Sequence, residues 1–569
     1  LQALCEYYER KSSDPEAMMA PPGFEWKEIP FVIVITREGK FVTIEDTREG
    51  EGKKKRAKRF LVPAAEKRTV GVKANLLWDN VEYALGANPR NREDIEVRHA
   101  AFRKRLEEGL AQEALPVGLT ALVEFLDGGP VSQIEPLKDC EVRWKEALDT
   151  NANVLFRIDG EAADLCEQLR PYVRAGGDGT EGTGTCLVTG RAGDIARLHP
   201  PIKGVRGAQV TGGALSSFNL AAFASYEKSQ NFVAPVSVDG AIAYTGALNR
   251  MLGRDSSNKM LLADATVVFW SQKETALEKT FLALFAMPTK DDPDADVRAV
   301  RALYDALRSG HLTAESETQF YVLGLSPNAA RLSVRFWHHG TVRQFSERLR
   351  EHFDDLEIVR APNDRGTLAL AALLGDIATQ QKLDNVPPNL AGDVVRAVLD
   401  GRPYPATLLQ QTVRRVRAER TVNRIRAALL KACLNRRQRT YPNEEREITV
   451  SLDPTNINIG YRLGRLFALL EKIQEEANPG INATIRERFY GAASASPVTV
   501  FPQLLKLKNH HLAKLENVGR KVNLERMLGE VFDGISDFPA QLPMENQARF
   551  AIGYYHQRQA LFAKKEEKE

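Results

Sequence analysis

The sequence predicts an α+β fold: a mixed N-terminal α/β region with hairpins and a ferredoxin-like piece, followed by a C-terminal helical bundle. Three observations carry this. The apolar run Phe31 to Thr36 and the alternating stretch Phe41 to Glu45 flank Glu38-Gly39, the pattern of a β-hairpin. Gln319 to Leu325 and Leu332 to Trp337 read as strands and Thr341 to Phe353 as a helix, a β-loop-β-α module resembling part of a ferredoxin-like domain. Beyond Asp453 the apolar spacing is helical, with Leu463, Leu466, Phe467, Leu470, Ile473 and Ala477 in one stripe. At 569 residues the chain is too long for one core. The expected division is 1–400, a basic helical connector at 401–447, and the bundle at 448–569.

Cys5, Glu6, Tyr7 and Tyr8 belong to an amphipathic first helix. After the hairpin, Glu49-Gly50-Glu51-Gly52 is a flexible loop that leads into Lys53, Lys54, Lys55, Arg56, Lys58 and Arg59. Such a run is either a solvated face or an arm that tracks a nucleic-acid backbone. Gly71 and Lys73 lie in a loop, and Asn75 or Asp79 starts a helix carrying Leu77, Val81 and Leu85. Asp94 to Ala111 is a charged helix with Phe102, Leu106 and Leu110 inward. Val154 to Ile158 and Cys186 to Thr189 are strand candidates. The glycines between them, Gly176 to Gly184, complete neither phosphate-binding spacing, and Gly213 stands where the second would need Lys.

Residues 199–252 interleave neutral hydrogen-bonding groups with aromatics: Ser216, Asn219, Gln230 and Asn231 among Phe218, Phe223, Tyr226 and Tyr244. Local turn bonds account for part of this pattern. Contact with base edges, which needs neutral donors and acceptors on a fixed frame, is the functional alternative. Thr266 to Trp270 is a strand, Asp291 to Asp296 a Pro-broken acidic linker, and Val297 to Leu307 a helix.

Gly401 to Thr440 concentrates the positive charge: eleven Lys and Arg stand against Glu419 alone, in a chain whose net charge is +3. From Leu408 the segment lacks Pro and Gly and reads as helix. Leu409, Val413 and Val416 share one face, whereas Val422, Ile425 and Leu429 share nearly the opposite one. Either the helix breaks near Ala418 or its buried side changes. Arg417, Arg420, Arg424 and Lys431 then form a row, which is a solvated face or a phosphate rail. Arg predominates over Lys, and guanidinium pairs two phosphate oxygens at once.

In the bundle, Asp453-Pro454 starts the first helix and Pro479-Gly480 ends it. A second helix carries Leu504, Leu505, Leu512 and Leu515, with Lys506, Lys508 and Lys514 around it. Later helices run from Asn523 to Val531 and from Asn546 to Phe562, before a solvated tail from Lys564. At about 120 residues the segment from Val450 is long enough to fold alone.

Neither a nucleophile-elbow motif nor a zinc-protease motif occurs. His338-His339, His510-His511 and the acidic pair Asp354-Asp355 near His352 read as packing, surface or helix-end residues, and no catalytic, cofactor or metal site is expected. Five scattered cysteines without a C-x-x-C pair fit a reducing cytoplasm, and the longest apolar runs are far short of a membrane span.

Seven segments together resemble a known family: KRTVGVKANLLWDNVEYALG (67–86), CLVTG (186–190), HPPIKGVRG (199–207), SSFNLAAFASYEKSQN (216–231), LSPNAARLSVRFW (325–337), GRPYPATLL (401–409) and GYRLGRLFALLEKIQEEANPGINATIRERFYGAASASP (460–497). The chain resembles the large subunit of the type I-C CRISPR Cascade surveillance complex. The resemblance implies a protein without catalysis of its own, which binds guide RNA and target DNA together with other subunits. Those are a repeated backbone subunit, an RNA-processing subunit, and a small subunit resembling the chain's own C-terminal bundle. It further implies recognition of a short duplex motif (PAM) flanking the target, help in opening the DNA, retention of the displaced strand, and recruitment of a helicase–nuclease.

Three groups of DNA-binding residues are then expected. Arg417, Arg420, Arg424 and Lys431, with Lys506, Lys508 and Lys514, contact the displaced strand. Lys53, Lys54, Lys55, Arg56, Lys58 and Arg59 grip the flanking duplex. Lys73, Asn75, Ser216, Asn219, Gln230 and Asn231 read the flank.

Overall fold

The computed structural model describes residues 1–14, 19–50, 55–66, 68, 71–110, 116–173, 182–218, 220–262, 264–285, 315–360, 369–382, 385–387 and 389–562. The glycine run at 176–179, the linker and helix expected at 291–307, and the tail from 564 lie outside the described residues. The chain divides into two compact units, 1–202 with 214–250, and 203–213 with 251–569. The boundaries expected at 400 and 447 do not coincide with this division.

The first unit opens with α1 (Gln2–Ser12) and then β1 (Phe24–Glu28), β2 (Phe31–Ile35), β3 (Phe41–Asp46) and β4 (Arg59–Pro63). β5 (Trp78–Asn80) runs into α2 (Val81–Leu85), followed by α3 (Ile95–Gly109), α4 (Val117–Asp127), α5 (Pro130–Ile134) and α6 (Glu141–Asp149). β6 (Asn153–Ile158) and α7 (Leu165–Gln168) precede a ribbon of β7 (Thr183–Thr185) and β8 (Ala192–Asp194), and α8 (Val238–Met251) closes the region. The main sheet has the order β3-β2-β6-β5, while β1 pairs with β4. All five residues of β2 are buried, as a central strand covered on both faces requires. β2 runs parallel to β6, with Ile33 opposite Phe156. Phe156 packs edge-on against Phe125 and tilted against Phe102. The expected hairpin is β2–β3, and Gly39 at its turn has φ +72°. A Cβ there would meet Glu124 and the backbone of Phe125 at 2.6 and 2.7 Å, so only glycine lets the turn seat on α4.

The second unit holds β9 (Lys259–Leu262), β10 (Ala265–Ser271), α9 (Ala276–Phe285), β11 (Gln319–Asn328), β12 (Arg331–Thr341) and α10 (Val342–Leu356). Its sheet has the order β12-β11-β10-β9, antiparallel throughout. The β-loop-β-α module is present, with a Thr341–Gln344 capping box starting α10. The sheet is a consecutive meander, however, and not the βαββαβ arrangement of a ferredoxin-like domain. Helices complete the unit: α11 (Leu370–Ile377), α12 (Leu390–Asp400), α13 (Ala406–Glu419), α14 (Arg424–Thr440), α15 (Ile459–Ala477), α16 (Ile485–Ala495), α17 (Phe501–Ala513), α18 (Val518–Phe532) and α19 (Met544–Phe562).

Some boundaries differ from expectation. Asn80, not Asn75 or Asp79, caps the helix at Val81, and Leu77 has φ +65°. Cys186 to Thr189 forms a turn closed by Gly190 N–H donating to Cys186 O at 2.8 Å. Asn458, not Asp453, caps α15.

One apolar core runs through the second unit from Met260 to Tyr555, so the bundle expected to fold alone shares its interior with 251–447. α14 packs against α10, α11, α13 and α19. Tyr555 Oη donates to Val359 O at 2.8 Å, and Val359 N donates to Val450 O at 2.8 Å. Within the bundle α15 packs on α17, as the two apolar stripes imply, but its main partner is α19. The backbones meet through glycines: a Cβ on Gly460 or Gly464 would strike the carbonyls of Asn546 or Phe550, and one on Gly553 that of Tyr461.

Gly464→Ala should therefore lower stability by about 3 kcal/mol or more, because backbone cannot rotate away as a side chain can. Gly491→Ala, in α16 with open space around it, should raise stability by about 0.5–1 kcal/mol. Thermal melts of the full chain check both; equal effects would remove the close-approach account.

Candidate nucleic-acid interface

The basic stretch folds as two helices. Arg420 takes a left-handed conformation, φ +54°, and ends α13; the Asn423 side chain then accepts from Arg426 N and starts α14. The break lets Val413 and Val416 face the core from α13, and Leu429 from α14.

Of the eleven cations, Arg426, Lys431 and Arg436 turn inward, while Arg415, Arg437 and Arg439 pair with acids nearer the surface. The buried Arg426 guanidinium pairs with Asp376 Oδ2 at 2.8 Å and with Glu419, and donates to Thr421 O. Arg436, equally buried, pairs with Asp355 Oδ2 at 2.8 Å and lies 4.4 Å above the Tyr404 ring centroid. Arg439 reaches Asp355 and Glu447. Lys431 is 3% exposed and donates to Asp355 O at 2.9 Å, with burial lowering its pKa. The expected row is thus corrected: Lys431 is not available to a strand, because it is buried and its ammonium is bound to the Asp355 carbonyl. Arg424 is half-buried. Arg417 and Arg420 remain exposed, joined by Arg414, a cluster at the end of α13. In the bundle Lys506 is exposed, Lys508 half-buried, and Lys514 donates to Asn478 Oδ1 at 3.2 Å. Lys506 and Lys508 lie ~200° apart around α17, so they make no common face.

In the first unit the basic run is the returning limb of a second hairpin. Glu49 and Arg56 exchange both backbone bonds at 2.9 Å, and Lys58 N donates to Thr47 O. Lys53 and Lys54 fall outside the described residues; Lys55, Arg56 and Lys58 are exposed. Arg59 is half-buried, 3.7 Å from Glu28. At the base of this hairpin Arg48 binds Asp46 and Glu146, holding both carboxyls below their usual range.

Lys73 is exposed, and its carbonyl accepts from Arg68 Nε at 2.8 Å. Asn75 is buried, its Oδ1 accepting from Glu66 N at 2.9 Å and its N–H donating to Asp79 Oδ2 at 2.8 Å. Its amide is committed to the fold, which corrects its assignment as a base reader. Asn231 is 1% exposed and is corrected likewise. Ser216 and Gln230 are half-buried, and Gln230 accepts from Arg197 at 3.4 Å; Asn219 lies outside the described residues.

The loop itself is strongly displayed. Every residue from 220 to 229 is exposed. Ser225 and Lys228 exchange backbone bonds at 3.2 and 2.9 Å around Tyr226 and Glu227, whose φ values are +50° and +59°. Two left-handed central residues make a type I′ turn, which favours Asn-Gly. Left-handed backbone costs an L-residue about 1–2 kcal/mol. Tyr226 accepts that strain at the tip and is 93% exposed. The sequence SYEK holds no Gly or Asn, so nothing in it announced the turn.

Among the described residues, three imidazoles, those of His338, His352 and His556, are buried in the second unit, the last two most deeply. His352 Nδ1 meets Tyr404 Oη at 2.5 Å, and burial, with Arg436 nearby, lowers its pKa to about 3. His556 Nδ1 meets Tyr461 Oη at 2.9 Å, and burial lowers its pKa to about 4. The fold keeps both neutral, whereas the unfolded chain takes up protons below about pH 6.5. Stability is therefore intact above that pH and falls as pH drops toward 4, by ~1.4 kcal/mol per pH unit for each imidazole. Denaturant titrations between pH 7 and 5 should show this, with His556→Gln removing one imidazole's share.

Asp355→Asn should cost about 3–5 kcal/mol, since it strands a buried guanidinium. Arg417→Glu with Arg420→Glu should change stability by less than about 0.5 kcal/mol, weaken single-strand binding alike for all sequences, and flatten its salt dependence. Unchanged affinity and slope would leave these arginines as a solvated face.

Among the described residues, no group of three His, Cys, Asp or Glu is placed to hold a metal ion, and no helix is long and apolar enough to cross a membrane. No curated protein matches the chain. Residues 4–562 match a family model described as CRISPR-associated protein (Cas_Csd1). That match spans nearly the whole chain, both units included, and the protein belongs to the Cas_Csd1 family of CRISPR-associated proteins.

Proposed function

We propose that this chain is the non-catalytic large subunit of a type I-C Cascade surveillance complex, and that its first unit recognises the duplex motif flanking the target. The observation that carries the reading is Tyr226, an aromatic ring held out at the tip of a strained turn in a fully exposed loop. Strain of this kind persists where the surrounding structure supports it and function uses it. A ring so placed can wedge between base steps of a duplex, where unstacking costs a few kcal/mol. Phosphate contacts offset that cost, and Lys228 beside the turn, with Lys55, Arg56, Lys58 and Lys73, is among the exposed cations of the same unit. Ser216 and Gln230 are the remaining candidates for base edges.

The exposed Arg414, Arg417 and Arg420 serve the displaced strand. Guide RNA pairing reads the target itself, in a cytoplasmic complex with backbone, RNA-processing and small subunits, and the open complex recruits a helicase–nuclease. Family membership supports the assembly, and the loop supports the role within it.

The test is binding of the assembled complex to duplexes with matched and mismatched flanks. Tyr226→Ala should reduce matched-flank binding about tenfold or more, in line with the few kcal/mol at stake, with little change for mismatched flanks. Tyr226→Phe should retain most of it. Equal affinity of Tyr226→Ala and the parent for the matched flank would sink the wedge, and metal-dependent cleavage by the purified chain would sink the non-catalytic part.

A further inference from the structure

The sheet of the second unit carries aromatic rings on both faces, and the outer face, buried along β10, opens to solvent at the edge strand β12. Phe269, Phe281, Phe320 and Phe345 fill the inner face with ring centroids 4.7–6.4 Å apart. On the outer face Trp270, Tyr321 and His339 are direct cross-strand neighbours on β10, β11 and β12. Trp337, on the same face of β12 two residues before His339, lies over this row. It stacks on Tyr321 at 5.6 Å and 14°, and meets Trp270 at 5.6 Å and 42° and His339 at 6.3 Å and 34°. Trp270 is buried and Tyr321 half-buried, so they form the floor. Trp337 is 41% exposed and His339 is exposed. An indole of this size, fixed by stacking and left open to solvent, is ordered before any ligand arrives.

We propose that the Trp337–His339 face is a stacking platform for unpaired bases of single-stranded nucleic acid. Four-stranded sheets that display aromatic rings in this way bind single strands by stacking, tolerant of sequence because every base has a π-face. Trp337 and His339 share this face at i and i+2, and Arg335 sits just before them as the extra residue of a bulge opposite Gly324 and Leu325. Arg335 pairs with Asp264 at 2.9 Å, and both are nearly half exposed. An ion pair in water is worth little, so a phosphate replaces Asp264 at small cost. A protein partner fits less well: a stable interface buries about 800 Å² on each side, and here one indole stands between an arginine and a histidine. The assignment does not depend on which loop reads the duplex flank.

The probes are fluorescein-labelled dT20, U20 and an abasic oligonucleotide of equal length, titrated into the full-length chain at fixed salt. Trp337→Ala should weaken dT20 or U20 binding about fivefold or more, leaving the abasic strand and duplex unchanged. Trp337→Phe should retain most of the affinity. The stronger of the dT20 and U20 effects identifies displaced DNA or guide RNA as the occupant. Tryptophan emission of the unmodified chain gives a second readout: saturating dT20 or U20 should quench it, and less so in Trp337→Phe. Unaltered oligonucleotide affinity in Trp337→Ala overturns the platform, as does emission that saturating strand leaves untouched. Loss of subunit assembly with oligonucleotide binding intact would overturn it in favour of a protein contact.

Discussion

The second unit depends on Asp355. Its carboxylate receives Arg436 at 2.8 Å and Arg439, and its backbone carbonyl receives Lys431 at 2.9 Å. Arg436 also donates to Ala397 O at 3.2 Å, at the end of α12, and lies on the Tyr404 ring. Through one carboxylate, α14 is fixed against α10 and α12. Such a cluster adds little net stability over an apolar replacement, because desolvating the charges offsets their attraction. What it does is penalise every other register: slide α14 by one residue and a guanidinium is left in the core without its acid. Arg426, clamped by Asp376 and Glu419, fixes the other end of the same helix.

That constraint explains why the most conspicuous sequence feature was misleading. Eleven cations against one carboxylate, read along the chain, describe a polycation. Two of the acids that neutralise it, Asp355 and Asp376, stand 50 to 84 positions before their partners. Periodicity has a range of one helix and cannot see them. The two opposed apolar faces were the better clue, because they belong to two helices and mark the break at Arg420. Beyond the break, α14 buries every residue from Arg426 to Arg436. Its cations are long enough to reach the partners its apolar residues bring close.

Where local physics decides, the sequence was legible: the β2–β3 turn at Gly39, the start of a helix at Thr341, and the stripe of α15 all follow from neighbours within a few residues. It was not legible where conformation contradicts residue preference. Leu77 and Tyr226 are both left-handed without being Gly or Asn. Leu77 is fully buried, so packing accounts for its backbone. Tyr226 is in water, where nothing packs against it. The same test separates Asn75 and Asn231, both buried within the fold, from the exposed loop tip at Tyr226. Exposure therefore identified the candidate surface, which residue type alone had not.

The pairing of much of this charge with acids also limits how single strands can be held. Three exposed arginines at the end of α13 neutralise at most three phosphates, which for a single strand gives a salt slope near −2. A chain of net charge +3 has little long-range field to add. Charge alone then yields weak binding that fades at physiological salt. Stacking does not fade in that way, since displacing water from a ring face releases no counterions. A protein that buries two arginines of its most basic stretch and leaves an indole open on a sheet adds a salt-tolerant grip to a salt-sensitive one. The two contributions are separable, because only the electrostatic one should vanish as ionic strength rises.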